Sequence, residues 1–325
     1  MSPKSKTYSE AKESEMEYSV VVPVYNEAGN IEILDKEIKT ALDKLSKKYE
    51  IIYVNDGSRD RSLRELQSLK NVKIINLTRN YGQSTSLDAG FKASNGEIVI
   101  SMDGDLQNDP RDIPRLVQKL KEENLDVVAG WRKNRKDSSG FKILTRIGRG
   151  LRRIIISDSV HDTGCTLRAY RKEAVKSLDL QGEMHRYILA LLRWKGFRIG
   201  ELVVNHRPRI NGQTKYGYSK AVRGFIDLIY MSFILKYSQR PLHIFGYASV
   251  LSFFLGTITG LATIYQKIFL GLGFNRNGWF FLTIFFFLAS IMFFSFGIMM
   301  DLILRIYLNT SPNEKRYYIR EIIEK

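Results

Sequence analysis

Residues 99–110 read VISMDGDLQNDP. An apolar run that suits a buried strand stops at Met102, and three carboxylates follow within seven residues: Asp103, Asp105 and Asp109. The chain as a whole is basic. Its 325 residues hold 50 Lys and Arg against 34 Asp and Glu, a net charge of +16. Acids gathered at a strand end in such a protein call for a counter-charge that the chain does not supply locally.

The stretch is one of a series. Residues 18–26 (YSVVVPVYN), 49–56 (YEIIYVND), 72–78 (VKIINLT), 96–103 (GEIVISMD) and 125–131 (LDVVAGW) are all short apolar runs. Between them, 30–46, a short segment with Leu63, Leu66 and Leu69, 83–94 and 112–123 carry apolar residues at helical spacing. Strands apolar on both faces suit a covered parallel sheet. Repeated strand–helix–strand units predict a Rossmann-like, doubly wound, mostly parallel α/β sheet with right-handed crossovers. Ligands of such sheets bind beyond the carboxyl ends of the strands. Those ends carry Pro23, Tyr25, Asn26 and Glu27; Asn55, Asp56 and Gly57; Arg79 and Asn80; Asp103, Gly104 and Asp105; and Gly130, Trp131 and Arg132. Any one of these is an ordinary turn. Five on one rim predict a ligand site. No GxGxxG follows the first strand and no GxxxxGK[ST] occurs, so neither a dinucleotide fingerprint nor a P-loop holds the phosphates.

Asp103 and Asp105 flank one glycine, and alternate residues converge on an ion where a strand breaks into a loop. Carboxylate oxygens suit Mg²⁺ or Mn²⁺, and Mg²⁺ commonly bridges one or two carboxylates to substrate phosphates. Asp-Gly-Asp therefore reads as a holder of a metal–diphosphate, against the alternative of a solvated acidic turn. Asp109, before Pro110, is expected only to cap the next helix. The single cysteine, Cys165, excludes an internal disulfide and zinc-binding cysteine clusters, and four scattered histidines (161, 185, 206, 243) argue against a histidine metal site.

The C-terminal quarter reads differently. Residues 242–266 and 277–300 contain no Asp, Glu, Lys or Arg. Each is long enough for a helix to cross a hydrocarbon core of about 30 Å. They predict a two-helix transmembrane hairpin within 241–301, against the alternative of buried core helices. The flank 215–240 holds Lys215, Lys220, Arg223, Lys236 and Arg240, and the tail 302–325 holds Arg305, Lys315, Arg316, Arg320 and Lys325. The positive-inside rule puts both termini and the large domain, residues 17–215, in the cytoplasm. Residues 1–16 are polar and read as a disordered leader, with Met16 as an alternative start. The stretch 141–157 (FKILTRIGRGLRRIIIS) interleaves apolar residues with Lys142, Arg146, Arg149, Arg152 and Arg153, a basic amphipathic pattern suited to a membrane interface. Residues 216–240 are expected to form a juxtamembrane amphipathic helix.

VVPVYNE (21–27), IIYVNDGSRD (51–60), Arg79-Asn80-x-Gly82, SMDGDLQNDP (101–110), DTGCTLRAYR (162–171) and RPRINGQTKYGYSK (207–220) together resemble family 2 glycosyltransferases in order and spacing. More narrowly, the chain resembles polyprenyl-phosphate glycosyltransferases: dolichyl-phosphate mannose synthases and the GtrB-like glucosyl and ArnC-like aminoarabinose transferases. The resemblance covers roughly 17–240, and the two-span hairpin looks most like the GtrB type. It implies a GT-A type fold. It implies that Pro23, Tyr25, Asn26, Glu27, Asn55, Asp56 and Arg79 line the nucleotide-sugar pocket. It implies that Asp103 and Asp105 hold the metal and diphosphate with Gln107 close by, that Arg132 and Arg146 meet the lipid phosphate, and that Arg209, Gly212, Thr214 and Lys215 close over the donor phosphates. Thr214 stands where Ser is usual, and the hydroxyl is kept.

The implied reaction is an inverting sugar transfer from a nucleotide sugar to polyprenyl or dolichyl phosphate, giving a lipid-phosphate-sugar for glycan or glycoprotein assembly. Arg209 and Lys215, with the metal, would stabilise the leaving diphosphate. The acceptor is a phosphate monoester with a second pKa near ~6, largely dianionic at neutral pH, and needs little help from a base. Asp162 is placed to orient acceptor or donor. Arg132, Arg146, Arg149, His185 and Arg186 are the candidates for the acceptor phosphate. UDP-glucose is favoured over GDP-mannose as donor. The expected partners are the nucleotide sugar, the polyprenyl phosphate and membrane lipid, with no nucleic acid. Association of copies through the spans, as in a tetramer, is part of the expectation. A processive polysaccharide synthase would carry Gln-x-x-Arg-Trp, whereas LLRWKG (191–196) is preceded by Ala190 at the Gln position. A non-catalytic, membrane-anchored nucleotide-sugar-binding protein would not need the acids and the Arg/Lys segment that this chain keeps.

Overall fold

A computed structural model describes residues 16–133, 160–208, 232–233 and 241–310. The chain divides into two compact units, 1–227 and 228–325.

The first unit is built on one seven-stranded sheet. Its strands are β1 (Tyr18–Val24), β2 (Tyr49–Asn55), β3 (Lys73–Asn76), β4 (Ile98–Ser101), β5 (Val127–Trp131), β6 (Arg168–Arg171) and β7 (Ile199–Val203). Their order is β3-β2-β1-β4-β6-β5-β7. β1 pairs in parallel with β2 and β4, β2 with β3, and β5 with β7. Only β6 runs antiparallel, between β4 and β5. The five strands read from the sequence are therefore all present and mutually parallel in direction, and the structure adds β6 and β7.

Alternation across β1 sorts the helices. Val20, Val22 and Val24 share a buried core with Leu34 and Ile38 of α1 (Ile31–Asp43) and with Leu116 and Leu120 of α4 (Ile113–Glu122). Val21, on the opposite face, meets α3 (Gln83–Ala93), where a Cβ on Gly90 would strike the Val21 side chain. Helices thus cover both faces, as doubly wound sheets require. The remaining helices of this unit are short: α2 (Ser62–Ser68), α5 (Lys172–Lys176) and α6 (Ile188–Trp194).

β4 stops at Ser101, two residues before the expected end. The Met102 N–H still donates to the Val21 carbonyl at 3.2 Å, and the chain then leaves the sheet. Gly104 lies against the end of β1, where an added Cβ would sit 3.3 Å from the Pro23 carbonyl oxygen. The two acids are therefore carried onto the carboxyl rim.

The second unit is a helical hairpin, α7 (Pro241–Leu270) and α8 (Gly278–Thr310). Leu242–Leu270 and Gly278–Leu304 are long and apolar enough to cross a membrane. Helices in lipid associate through small residues and interhelical hydrogen bonds. Here Ser249 Oγ donates to the Ser290 carbonyl at 2.9 Å and Ser290 Oγ to the Ser249 carbonyl at 3.0 Å. Thr283 Oγ1 donates to Thr259 Oγ1 at 3.1 Å, and Gly256 faces Phe287. The leader before Met16, the basic stretch 141–157, nearly all of 216–240 and the tail beyond Thr310 lie outside the described residues.

Candidate active site on the carboxyl rim

The rim is assembled from loops that hold one another. After β1, Asn26 takes a left-handed conformation (φ 57°), which asparagine tolerates. The main-chain N–H groups of Asn26, Glu27, Ala28 and Gly29 donate to Ser58 Oγ, Ser62 Oγ, Asp60 Oδ2 and Glu65 Oε2 at 2.8–3.1 Å. The ends of β1 and β2 form one clasp. Tyr25 stands exposed above it, and Glu27 accepts a hydrogen bond from Asn30.

Asn55 and Asp56 turn inward. Asn55 Nδ2 donates to Asn76 Oδ1 at 2.7 Å, and its Oδ1 accepts from the Ser58 N–H. The buried Asp56 carboxylate accepts from the N–H groups of Tyr81 (2.7 Å) and Gly82 (2.9 Å) and from Asn80 Nδ2 (3.0 Å). Both side chains organise the rim, and Asp56 in particular fixes the entry to α3. The Arg79 guanidinium lies 4.5 Å from the Tyr81 ring centroid.

The acid pair sits at the centre of this rim. Asp105 is buried and its Oδ1 accepts from the Gln107 N–H at 3.2 Å. Asp103 Oδ1 accepts from Gln83 Nε2 at 2.7 Å. Burial, followed by the charge of Asp105, pushes the Asp103 carboxyl up to about 6; Thr166, Arg132 and Arg168 pull the other way without cancelling it. Two neighbouring carboxylates, one buried and one half-buried, fit a divalent cation. Among the described residues no three His, Cys, Asp or Glu side chains converge. A cation held by Asp103 and Asp105 would need further ligands from outside these side chains, and phosphate and water oxygens suit Mg²⁺ or Mn²⁺. The Gln107 carbonyl accepts from the Arg207 N–H at 2.9 Å.

Asp109 is the third acid, and it belongs to the scaffold. Its carboxylate caps the turn by accepting from the Arg111 N–H, and it pairs with Arg111 and Arg207. Burial alone would raise its pKa; those two guanidinium groups outweigh it and hold the carboxyl low. Arg207 also bridges to Glu37 at 2.8 Å.

Arg132 and Asp162 face each other. Arg132 Nε lies 2.7 Å from Asp162 Oδ2 and Nη2 lies 3.0 Å from Oδ1, and the Arg132 N–H donates to Oδ2 at 3.2 Å. Burial opposes both charges, yet each holds the other ionised. One residue back, the Trp131 and His161 rings stack at 4.3 Å. The two residues read separately from the sequence, one for the acceptor and one for orientation, thus form a single unit.

His185 lies against the first turn of α3: Ser84 Oγ accepts its main-chain N–H at 2.9 Å and meets its Nδ1 at 2.9 Å. Burial, then Arg186 and Arg168, lower its pKa to about 4. At neutral pH it is therefore uncharged. Arg186 is exposed and pairs with Glu183 at 2.9 Å. Arg146, Arg149, Arg209, Gly212, Thr214 and Lys215 lie outside the described residues. Gln83, Ser84, Asn108, Thr166 and Arg168 were not singled out in the sequence. Thr166 and Arg168 lie inside the DTGCTLRAYR motif, and Gln83 directly follows Arg79-Asn80-x-Gly82.

Known proteins resemble this chain in sequence and in fold. The family model described as glycosyl transferase family 2 matches residues 19–179. A dodecaprenyl-phosphate galacturonate synthase of Rhizobium johnstonii is 35% identical over 95% of this chain and 94% of its own length. An undecaprenyl-phosphate 4-deoxy-4-formamido-L-arabinose transferase of Edwardsiella ictaluri is 35% identical over 94% of each chain. In fold, the crystal structure of glucosyl-3-phosphoglycerate synthase from Mycobacterium tuberculosis with Mn²⁺, UDP and glucosyl-3-phosphoglycerate aligns at a TM-score of 0.53 and 18% identity, over 68% of this chain and 80% of that one. The chain belongs to glycosyl transferase family 2, and within it to the enzymes that transfer sugars to polyprenyl phosphates.

Proposed function

We propose that the enzyme moves one sugar from a nucleotide donor bound across the carboxyl rim to a polyprenyl phosphate at the cytoplasmic face of a membrane, with Asp103 and Asp105 holding Mg²⁺ or Mn²⁺ and Gln107 beside them. The observation that carries this is the acid pair just beyond the end of β4: Asp105 is buried, with its Oδ1 on the Gln107 N–H, and Asp103 Oδ1 is held by Gln83 Nε2 at 2.7 Å. The metal, when bound, stabilises negative charge on the diphosphate. The chain's own residues do the rest. Asp56 fixes the Tyr81–Gly82 turn that opens α3. Tyr25, Asn26, Glu27 and Arg79 border the pocket for base and ribose. Arg146 and Arg149 supply positive potential where two dianions must meet, Arg132 is held in place by Asp162, and Arg209 and Lys215 neutralise the departing diphosphate.

The bond from the anomeric carbon to the diphosphate breaks, and its electron pair leaves with the nucleoside diphosphate. A lipid phosphate oxygen forms the new bond from the opposite face, so the anomeric centre inverts. The attacking dianion has no proton to lose. For the donor, the galacturonate and 4-deoxy-4-formamido-arabinose of the two relatives stand ahead of UDP-glucose and GDP-mannose. The apolar hairpin anchors the enzyme beside its lipid acceptor.

Membranes containing the protein, given polyprenyl phosphate, Mn²⁺ and a panel of labelled UDP- and GDP-linked sugars, are expected to yield one organic-extractable product, strongest with a uronate or amino-pentose donor. Equal labelling from UDP-glucose would reject the donor assignment.

A further inference from the structure

We propose that Glu201 positions Arg132 for the acceptor phosphate, acting through His161 and Trp131; this rests on Arg132 being a contact of the lipid phosphate. Glu201 lies on β7, at the edge of the sheet, and was not singled out in the sequence.

The first step is set by strand register. β5 and β7 pair in parallel, with Ala129 opposite Glu201 and Trp131 opposite Val203. Side chains two residues apart on a strand share a face. Glu201 and Trp131 therefore stand on the same face, and His161 joins them. Glu201 Oε1 accepts the His161 main-chain N–H at 2.8 Å, and Oε2 lies 2.8 Å from His161 Nδ1. Both oxygens of one carboxylate are spent on one residue, so its backbone and its ring are fixed together. The ring then stacks on Trp131, with centroids 4.3 Å apart and planes 18° from parallel.

The second step is set by adjacency. Arg132 follows Trp131, and Asp162 follows His161. Asp162 takes the Arg132 main-chain N–H at 3.2 Å, Nε at 2.7 Å and Nη2 at 3.0 Å. Trp131–His161 and Arg132–Asp162 are thus two successive rungs between the end of β5 and the loop before β6, and Glu201 ties the first rung to β7. A guanidinium carries five N–H donors in a rigid fork. Bonding side-on through Nε and Nη2 leaves its Nη1 edge for a phosphate oxygen, the charge-assisted contact at which arginine excels. Asp162 sets where that edge points, and His161 sets where Asp162 stands. Packing is close on the far side as well: a Cβ on Gly164 would lie 3.1 Å from Arg132 Nη2. Glu201 is accordingly a positioning residue.

The test gives full-length protein in detergent Mn²⁺, undecaprenyl phosphate at varied concentration and, from the panel above, the UDP- or GDP-linked sugar that labels lipid. Acceptor KM, donor KM, kcat and melting temperature are recorded. The neutral pair Arg132→Met with Asp162→Asn is expected to raise acceptor KM at least about tenfold, the scale of one hydrogen bond to a charged group. Glu201→Leu and His161→Ala should each raise it about fivefold, with donor KM and kcat within about twofold, the pattern of lost acceptor binding. Glu201→Gln keeps an acceptor for the His161 N–H and an amide that suits the other ring tautomer, and should stay within about threefold of the parent. Glu201→Leu added to the neutral pair should change acceptor KM by less than about twofold, because its target is already gone. If Glu201→Leu leaves acceptor KM unchanged while the neutral pair raises it, the proposal is refuted and the Arg132 contact stands. If the neutral pair leaves acceptor KM unchanged, the Arg132 contact is refuted and the proposal falls with it. Effects that multiply in the combined variant, or a lower melting temperature with unchanged acceptor KM, would overturn the proposal, and should Glu201→Leu not fold, His161→Ala decides.

Discussion

Asp162→Asn is the substitution whose cost follows most directly from the geometry. The carboxylate accepts four hydrogen bonds: two from the Arg132 guanidinium at 2.7 and 3.0 Å and two from main-chain N–H groups, of Arg132 at 3.2 Å and Gly164 at 3.1 Å. Both side chains are largely buried, at 12% and 15% exposure. Removing one partner of a buried pair costs about 3–5 kcal/mol, because the other charge is left uncompensated. The residual exposure places this pair at the lower end, about 3 kcal/mol. For a catalytic unit of this size each kcal/mol moves the melting temperature by roughly 2–4 °C, so the expected fall is roughly 6–12 °C. The assay is thermal unfolding of the full chain in detergent with chelator, read through tryptophan fluorescence. Trp131 stacks on His161 beside the pair and reports on it. The double variant Asp162→Asn with Arg132→Met buries no charge, and is expected to recover at least about half of the loss, since neutral replacement of a buried pair is often tolerated. A fall below about 2 °C for Asp162→Asn, or a double variant that merely sums the singles, would show that the two charges do not depend on each other.

Asp103 gives a pH signature. Its folded-state pKa lies near 6, above the unfolded value, so the folded protein holds this proton more tightly. Metal-free stability is therefore lost as pH rises from about 4 to about 6, by at most about 3 kcal/mol. The melting-temperature difference between Asp103→Asn and the parent should shift in favour of the variant across that window, and a flat difference would contradict it. Gly57 has φ 65°, and a Cβ there would lie 2.6 Å from the Asn80 nitrogen. Gly57→Ala should cost at least about 1–2 kcal/mol and weaken nucleotide binding in a titration, because the loop that carries Gln83 must move. Ser249→Val should remove the hydrogen bond from Ser249 Oγ to the Ser290 carbonyl, leave the one from Ser290 Oγ to the main-chain carbonyl of residue 249, and cost about 0.6–1.7 kcal/mol, read by Trp279 fluorescence on heating, while transfer activity stays within twofold.

β1, β2, β4 and β5 were plain in the sequence because they are mostly buried on both faces and read as continuous apolar runs, while the edge strand β3 showed through its Ile74-Ile75 pair. β6 was not. Arg168-Ala169-Tyr170-Arg171 has a charged residue at each end, and Arg168 is buried only because its guanidinium is spent on loop carbonyls. β7 escaped for the opposite reason: as an edge strand it is only partly buried and carries little apolar signal. At the site, the acids themselves were legible from Asp-Gly-Asp at a strand end. The division of labour among them was legible too, with Asp109 a cap and Asp103 and Asp105 facing the rim. What spacing does not encode is pairing across the fold. Nothing in the sequence joins Arg132 to Asp162 or turns Asp56 inward to hold Gly82, since these contacts exist only once distant loops meet. The same holds for Gln83, which lies 20 residues from Asp103 in the sequence and bonds its carboxylate.

The central claim is that the acid pair supports metal-dependent sugar transfer to a lipid phosphate. Full-length protein, stripped with chelator, is incubated with polyprenyl phosphate and the labelled nucleotide-sugar panel, with and without Mn²⁺, beside Asp105→Asn. The expected result is a labelled lipid-phosphate-sugar that appears with Mn²⁺, is absent without it, and falls at least about 100-fold in the variant. No labelled lipid with any donor, or an Asp105→Asn variant as active as the parent, would contradict it.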